Sequence, residues 1–284
     1  MTRAPQHIVS LVPSLTEAIS DLGAGGRLVG VTSYCPPLAS RSSSDGQGAR
    51  AASSPEIVGG PRTPSLEKIR ALAPDLVVAC AEENPAAILA DIAPHARVLA
   101  FSCHTLDDAE AMLLDLGRAL ACEERAILHR DRFRAVRDEI RRVGESDLRP
   151  GENDGRTAPR HARAKSPARR IFYPVWRAPW IAVGRGCFPA AMLTEAGGES
   201  IFADRGVPYP KVDLEAVRAG APEIFFLPDE PWPFGEGDID CLAPLFGDRP
   251  ARFVPVPGRW AAWYGTRMDE GLRGLAAILR APAG

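Results

Sequence analysis

The sequence lacks the marks of several protein classes. Its 34 Lys and Arg nearly balance 36 Asp and Glu, for a formal net charge of −2, so it presents no basic field for nucleic acid or an anionic membrane. No apolar run approaches the ~20 residues that cross a bilayer as a helix. The six cysteines (Cys35, Cys80, Cys103, Cys122, Cys187, Cys241) form no CxxC pair and show no ligand-like spacing. That argues against a disulfide framework and suits scattered thiols in a reducing compartment. Gly-x-Ser-x-Gly, phosphate-loop and dinucleotide fingerprints are absent. Between Met1 and the strand-like run from Ile8 there is no charged leader, long apolar core or small-residue cleavage site. The chain as written is therefore expected in the cytoplasm, or in the periplasm if an upstream leader precedes it.

What the chain does have is a phrase used twice. Ser65 to Val78 (SLEKIRALAPDLVV) returns from Asp213 to Phe226 (DLEAVRAGAPEIFF). Each copy has a capping Ser or Asp, a short amphipathic helix, a Pro that stops it, an acidic residue and an apolar strand. A weaker echo precedes each copy, Leu15-Thr16-Glu17-Ala18 returning as Leu193-Thr194-Glu195-Ala196. Two related α/β lobes are expected, with function sought in the crevice between them.

The pattern along the chain divides it further. Residues 1–120 read as an N-terminal lobe of alternating strands and helices, which calls for a parallel sheet covered on both faces. In it, Ser14-x-x-Glu17 predicts a capping box opening the first helix, and residues 38–56 predict a mobile loop. Leu106 to about Arg142 reads as helix with a break near Cys122, and 121–143 as a backbone helix between the lobes. Apolar residues at 126, 127, 133, 136 and 140 fit one stripe. Residues 144–168 lack apolar periodicity and are expected as a disordered insertion, and 169–284 as the second lobe.

Several segments resemble a known family: Ile8-Val9-Ser10-Leu11-Val12-Pro13-Ser14-Leu15-Thr16-Glu17, Gly59-Gly60 before a Leu-Glu-x-Ile helix, Ala73-Pro74-Asp75-Leu76-Val77, Gly197-Gly198-Glu199-Ser200-Ile201-Phe202, and Pro210-x-Val212-x-Leu214-Glu215. They are similar to the cobalamin- and siderophore-binding proteins of ABC importers, the helical-backbone receptors. The resemblance implies two Rossmann-like α/β lobes joined by a long rigid helix, the class III periplasmic binding protein fold, with little hinge motion. It implies a non-catalytic, monomeric carrier of a corrinoid or other metal chelate, without a resident cofactor, delivering cargo to an ABC permease. It also implies that Glu67 and Glu215, the early-helix acids of the repeated phrase, dock onto permease arginines.

Ligands of open parallel sheets sit outside the carboxyl ends of the strands. Those ends supply Ser14, Tyr34, Cys35, Glu82, Glu83, Asn84 and His104 in the first lobe. In the second they supply Trp176, Arg177, Trp180, Arg185, Trp232, Phe234, Trp263, Tyr264 and Arg267. Large flat side chains suit a planar macrocycle, and the arginines suit carboxylate or phosphate groups. Asn84 before Pro85 fits a helix N-cap equally well. Cys35, Cys80, Cys103 and His104 near three strand ends are soft donors that would suit a transition metal if they converged. Two alternatives stay open: a cytosolic corrinoid or metallophore carrier without a permease, and a thiol-dependent hydrolase using Cys35 or Cys103 with His104.

Overall fold

A computed structural model of the chain describes residues 3–37, 54–146, 168–247 and 252–282. The chain divides into two compact units. Unit 1 is Met1–Cys103, Asp107–Asp131 and Tyr264–Arg267, and unit 2 is His104–Leu106, Arg132–Trp263 and Met268–Gly284.

In unit 1 the apolar run gives β1 (Ile8–Ser10), fully buried. Helix α1 (Pro13–Ile19) starts one residue before the expected capping box. Pro13 supplies the first turn with its preset φ, Val12 is the N-cap without a side-chain bond, and the Ser14–Glu17 box does not form. Thr16 instead donates its hydroxyl back to the Val12 carbonyl at 2.9 Å. Next come β2 (Leu28–Val31), β3 (Glu56–Ile57), β4 (Gly59–Gly60), β5 (Thr63–Pro64), α2 (Leu66–Ala71), β6 (Leu76–Cys80), α3 (Ala86–Ile92) and β7 (Arg97–Phe101). The sheet runs β3-β2-β1-β6-β7, every described pair parallel. Gly59 makes the small β4–β5 hairpin possible: its φ is +117°, and a Cβ there would lie 2.7 Å from the Thr63 carbonyl. One face of the sheet packs Val9, Leu11, Val58, Ile69, Val77, Ala79 and Ile92, each such burial contributing about 1.5–3 kcal/mol for the larger side chains. Residues 38–53 of the expected loop lie outside the described residues, and 56–57 form an edge strand rather than loop.

Helix α4 (Leu106–Leu120) and helix α5 (Glu123–Ser146) are separated at Ala121-Cys122. Ala121 takes the left-handed conformation at φ 53°, and Arg27 donates to the Leu120 carbonyl at 2.9 Å. A Cβ on Gly117 would lie 2.4 Å from that of Ala126, so glycine sets the close approach of the two helices. Helix α5 has 24 residues and ends at Ser146, past the expected end at 143, and is about 36 Å long at 1.5 Å per residue. Its buried stripe is Ala126, Phe133, Val136 and Ile140; Ile127, placed on that stripe by its spacing, is 42% exposed. The remainder of the expected insertion, 147–167, lies outside the described residues.

Unit 2 continues with β8 (Arg169–Phe172), β9 (Pro174–Arg177), β10 (Trp180–Ala182), α6 (Phe188–Glu195), β11 (Gly198–Ser200), α7 (Leu214–Gly220), β12 (Ile224–Pro228), α8 (Glu236–Leu242), β13 (Arg252–Val256), α9 (Arg259–Ala262) and α10 (Met268–Arg280). Its parallel sheet runs β11-β8-β12-β13, while β9 and β10 form a separate antiparallel hairpin. The core is aromatic: Phe225 meets Phe172 at 5.6 Å and Phe246 at 4.7 Å edge-on, and stacks on Phe253 at 4.8 Å. The C-terminal half of α5 is fixed to this unit by Glu195, which pairs with Arg137 at 3.4 Å and Arg141 at 2.8 Å, and by Arg273 on Glu139 at 2.8 Å.

The repeated phrase performs the same task in each unit. Ser65 caps α2 by accepting from the Lys68 amide at 3.3 Å, and Asp213 caps α7 by accepting from Ala216 at 2.7 Å. Both helices end in an alanine at φ 44°, Ala73 and Ala221, directly before the proline, where the α region is disfavoured. The acid that follows then holds the neighbouring strand. Asp75 accepts from the amides of Gln6 (2.8 Å) and His7 (3.1 Å) at the entry to β1. Glu223 accepts from the Arg170 amide (2.9 Å) and the Arg169 guanidinium (2.8 Å) in β8. Burial alone would raise the Glu223 carboxyl, but these bonds and charges outweigh it and hold it below its ordinary value.

Candidate ligand-binding surfaces

In unit 1 the carboxyl ends of β2, β6 and β7 carry a polar and thiol-rich cluster. Glu82, just past β6, is the hub: it accepts from the Cys80 thiol at 2.9 Å and from the Ser102 hydroxyl beyond β7 at 2.5 Å. Burial, followed by the bond to Glu82, pushes the Cys80 thiol up to about 12. Burial and then the neighbouring Cys80 do the same to Cys103. Thiols held neutral in this way are poor nucleophiles and poor metal ligands. Cys35 is bound separately, its sulfur 3.0 Å from the Thr16 hydroxyl and 3.2 Å from that of Thr32. Among the described residues, no group of three or more His, Cys, Asp or Glu side chains is arranged to hold a metal ion. His104 is exposed, in the turn before α4.

Glu83 is half-buried beside this hub. Burial first, and then the Glu82 charge, push its carboxyl up to about 7, against the opposing pull of Arg62. The Tyr264 ring is buried, and desolvation together with Cys80 raises its hydroxyl. Asn84 has a different role from the one its position suggests. It is 1% exposed; its carbonyl oxygen accepts from the Cys80 amide at 2.8 Å, and its amide donates to Pro61 at 2.8 Å and Leu11 at 3.4 Å. The N-cap of α3 is Pro85, not Asn84. Asn84 thus ties the β6 loop to β1 and to the β4–β5 turn. Ser14 is buried in α1. Arg267 pairs with Glu17 at 3.0 Å and lies 3.6 Å from Asp21. Tyr34, in contrast, leaves 73% of its surface in solvent just beyond β2.

In unit 2 the aromatics separate into wall and surface. Trp180 packs against Phe172 of the core at 6.2 Å and stacks on Phe234 at 5.8 Å, and Phe234 is buried. These two rings support the surface rather than form it. Trp176, on the β9 strand of the hairpin, is 39% exposed and meets Trp232 edge-on at 5.1 Å. Arg177 is anchored by the buried Asp238 at 2.7 Å, while the second oxygen of Asp238 accepts from the Gly235 amide at 3.0 Å. Arg185 is exposed, within 3.4–3.5 Å of Asp204 and Glu199. Trp263 is partly buried at the end of α9. Trp260 of the same segment is packing: a Cβ on Gly274 would meet its ring at 2.4 Å. Asp238 was not singled out by sequence, although it had a legible signal, an acid three residues after Gly235 at a helix start.

Glu67 and Glu215 occupy equivalent first-turn positions of α2 and α7. Both are exposed, and neither has a hydrogen-bond or ion-pair partner among the described residues. Their neighbours in the repeated phrase, Asp75 and Glu223, are fully engaged.

Residues 8–149, half of the chain, match the family model described as periplasmic binding protein. The chain belongs to the periplasmic binding protein family. A vitamin B12-binding protein of Vibrio cholerae is 31% identical over 223 residues, covering 78% of this chain and 70% of that one. Two solved structures share the fold of this periplasmic binding protein. The periplasmic vitamin B12 binding protein BtuF of Vibrio cholerae has a TM-score of 0.72 at 24% identity, over 97% of each chain. A periplasmic heme binding protein from Pseudomonas aeruginosa has 0.74 at 22% identity, over 99% of this chain and 94% of that one. The expected class III α/β architecture is therefore the observed one. Among the described residues no helix is long and apolar enough to cross a membrane.

Proposed function

We propose that this protein captures a flat, metal-bearing macrocycle of the corrinoid type outside the cytoplasmic membrane and delivers it to an ABC importer permease, without itself catalysing a reaction. The observation that carries this reading is the 31% identity over 223 residues to a vitamin B12-binding protein. The surfaces agree with it. Tyr34 beyond the carboxyl end of β2, and Trp176 on the β9–β10 hairpin beside Trp232, leave aromatic area in solvent, where rigid rings give apolar contact at low entropic cost. Glu67 and Glu215, exposed and without a partner among the described residues, suit charge-assisted docking onto permease arginines. A thiol-dependent hydrolase using Cys103 is disfavoured by its raised thiol.

Titration of the purified protein with cobinamide and cobalamin tests the reading. All five tryptophans, Trp176 and Trp232 among them, lie in unit 2, so indole fluorescence reports on unit 2. Saturable quenching near 1:1 supports ligand capture. No quench and no calorimetric heat across corrinoids, heme and ferric siderophores would remove it.

A further inference from the structure

We propose that Lys211 narrows the ligand class: it selects a macrocycle that carries an anionic oxygen group, a phosphodiester or a carboxylate, over one whose edge is wholly amide. This rests on the ligand-capture reading above and assigns that site a charge specificity. The β9–β10 hairpin is widened by a third extended run of chain. Ile181 and Lys211 form an antiparallel bridge. The Ala182 amide donates to the Pro210 carbonyl at 3.1 Å on one side of it, and the Val212 amide donates to the Trp180 carbonyl at 3.0 Å on the other. The Gly184 amide continues the pairing by donating to the Pro208 carbonyl at 2.7 Å. Across the hairpin, Ile181 stands opposite Trp176. Directly opposed residues of antiparallel strands share a face. Trp176, Ile181 and Lys211 therefore form one row, about 10 Å from end to end at two strand spacings.

Alternation fixes which way that row looks. Trp180, Ala182 and Val212 belong to the aromatic core of unit 2, and Pro210 is buried. Their neighbours in sequence point to the other side, where Trp176 is 39% and Tyr209 46% exposed and Lys211 is exposed as well. Three cations lie in or next to these strands, and they differ in what they hold. Arg177 is committed to the buried Asp238 at 2.7 Å, and Arg185 lies within 3.4–3.5 Å of Asp204 and Glu199. Lys211 has neither a hydrogen bond nor an ion pair among the described residues. A flat ring lying over Trp176 and Tyr209 thus brings its edge to an ammonium with three donors to give. An anionic oxygen there makes a charge-assisted bond, whereas a neutral amide does no better than the water it displaces.

The experiment is calorimetric titration of the full chain with three corrinoids: cyanocobalamin, which carries a phosphodiester; dicyanocobyric acid, which carries a carboxylate; and dicyanocobinamide, which carries neither. Wild type is expected to bind at least one of the two anionic probes about tenfold more tightly than dicyanocobinamide, and the probe it prefers identifies the group. That preference should shrink as salt is raised and vanish in Lys211→Met, which keeps an apolar stem and drops the charge. Dicyanocobinamide affinity should be the same in both proteins. The wild-type salt series needs no variant, so a poorly folding Lys211→Met leaves the test intact. If neither anionic probe binds more tightly than dicyanocobinamide, or the preference survives high salt or Lys211→Met, the inference is overturned and the ligand-capture reading is spared. Binding of none of the three overturns both.

Discussion

Asn84 offers the sharpest separation between a residue that holds the site and one that touches ligand. Its carboxamide makes three bonds within unit 1, to the Cys80 amide and the Pro61 and Leu11 carbonyls at 2.8, 2.8 and 3.4 Å. It does so at 1% exposure. Asn84→Ala strands the Cys80 N–H and two carbonyls where water has little access. At about 1–3 kcal/mol for each well-made buried bond, the two short ones set the scale and the long one adds little, for a loss of about 3–5 kcal/mol. Asn84→Asp keeps the acceptor for Cys80 but loses both donated bonds and adds a third acid beside Glu82 and Glu83, so it should destabilise as well. Tryptophan fluorescence cannot see this change, because unit 1 contains no tryptophan. Hydrogen exchange of β6 peptides can: protection at Cys80 should fall by two or more orders of magnitude, at about 1.4 kcal/mol per factor of ten. Unchanged Cys80 exchange and an unchanged denaturation midpoint in Asn84→Ala would refute the reasoning and return Asn84 to the ligand surface.

Trp176→Ala should weaken corrinoid binding by about 1–3 kcal/mol with the fold intact, measured by titration; equal affinity would assign the ring to packing. Charge reversal at Glu67 and Glu215 should abolish transport in a reconstituted importer while ligand affinity stays at the wild-type value, and undiminished uptake would reject the docking role. Glu83 takes up its proton near 7 when folded against 4.5 for a free side chain. Its contribution is full below about 4.5, falls as pH rises to 7 and is then lost, a drop of at most about 3 kcal/mol that Glu83→Gln should remove from a stability–pH profile. Asp75→Ala should cost about 1–2 kcal/mol by releasing the entry of β1, an exposed site where water replaces part of the lost bonds. A thermal melt indistinguishable from wild type would show that the clamp is dispensable.

Much of the fold was legible because its signals are local. The duplicated phrase placed both capping residues, both proline stops and both following strands, and the change of pattern near Cys122 marked the helix break that Ala121 and Arg27 now explain. What escaped depends on contacts distant in sequence. The acids Asp75 and Glu223 read only as strand flanks until strands 68 and 53 residues away were seen to donate to them. Ile127 fitted the α5 stripe by spacing, yet faces solvent. At the candidate site, strand-end position correctly located the polar loops but could not rank their members. Asn84 and Phe234 follow strand ends and are buried in packing, while Tyr34, which also follows a strand end, faces solvent, and Trp176 within β9 is 39% exposed. The β9–β10 hairpin was missed as a hairpin because Arg177 and Trp180 flank a turn written with Ala178-Pro179 rather than glycine.

Hydrogen exchange with and without saturating dicyanocobinamide tests most directly whether ligand meets the carboxyl-end loops. The account predicts added protection at 81–84, 102–103, 174–180 and 229–234, and none at α2 or α7, which carry Glu67 and Glu215. Protection confined to those two helices, or to the opposite ends of the sheets, would contradict it.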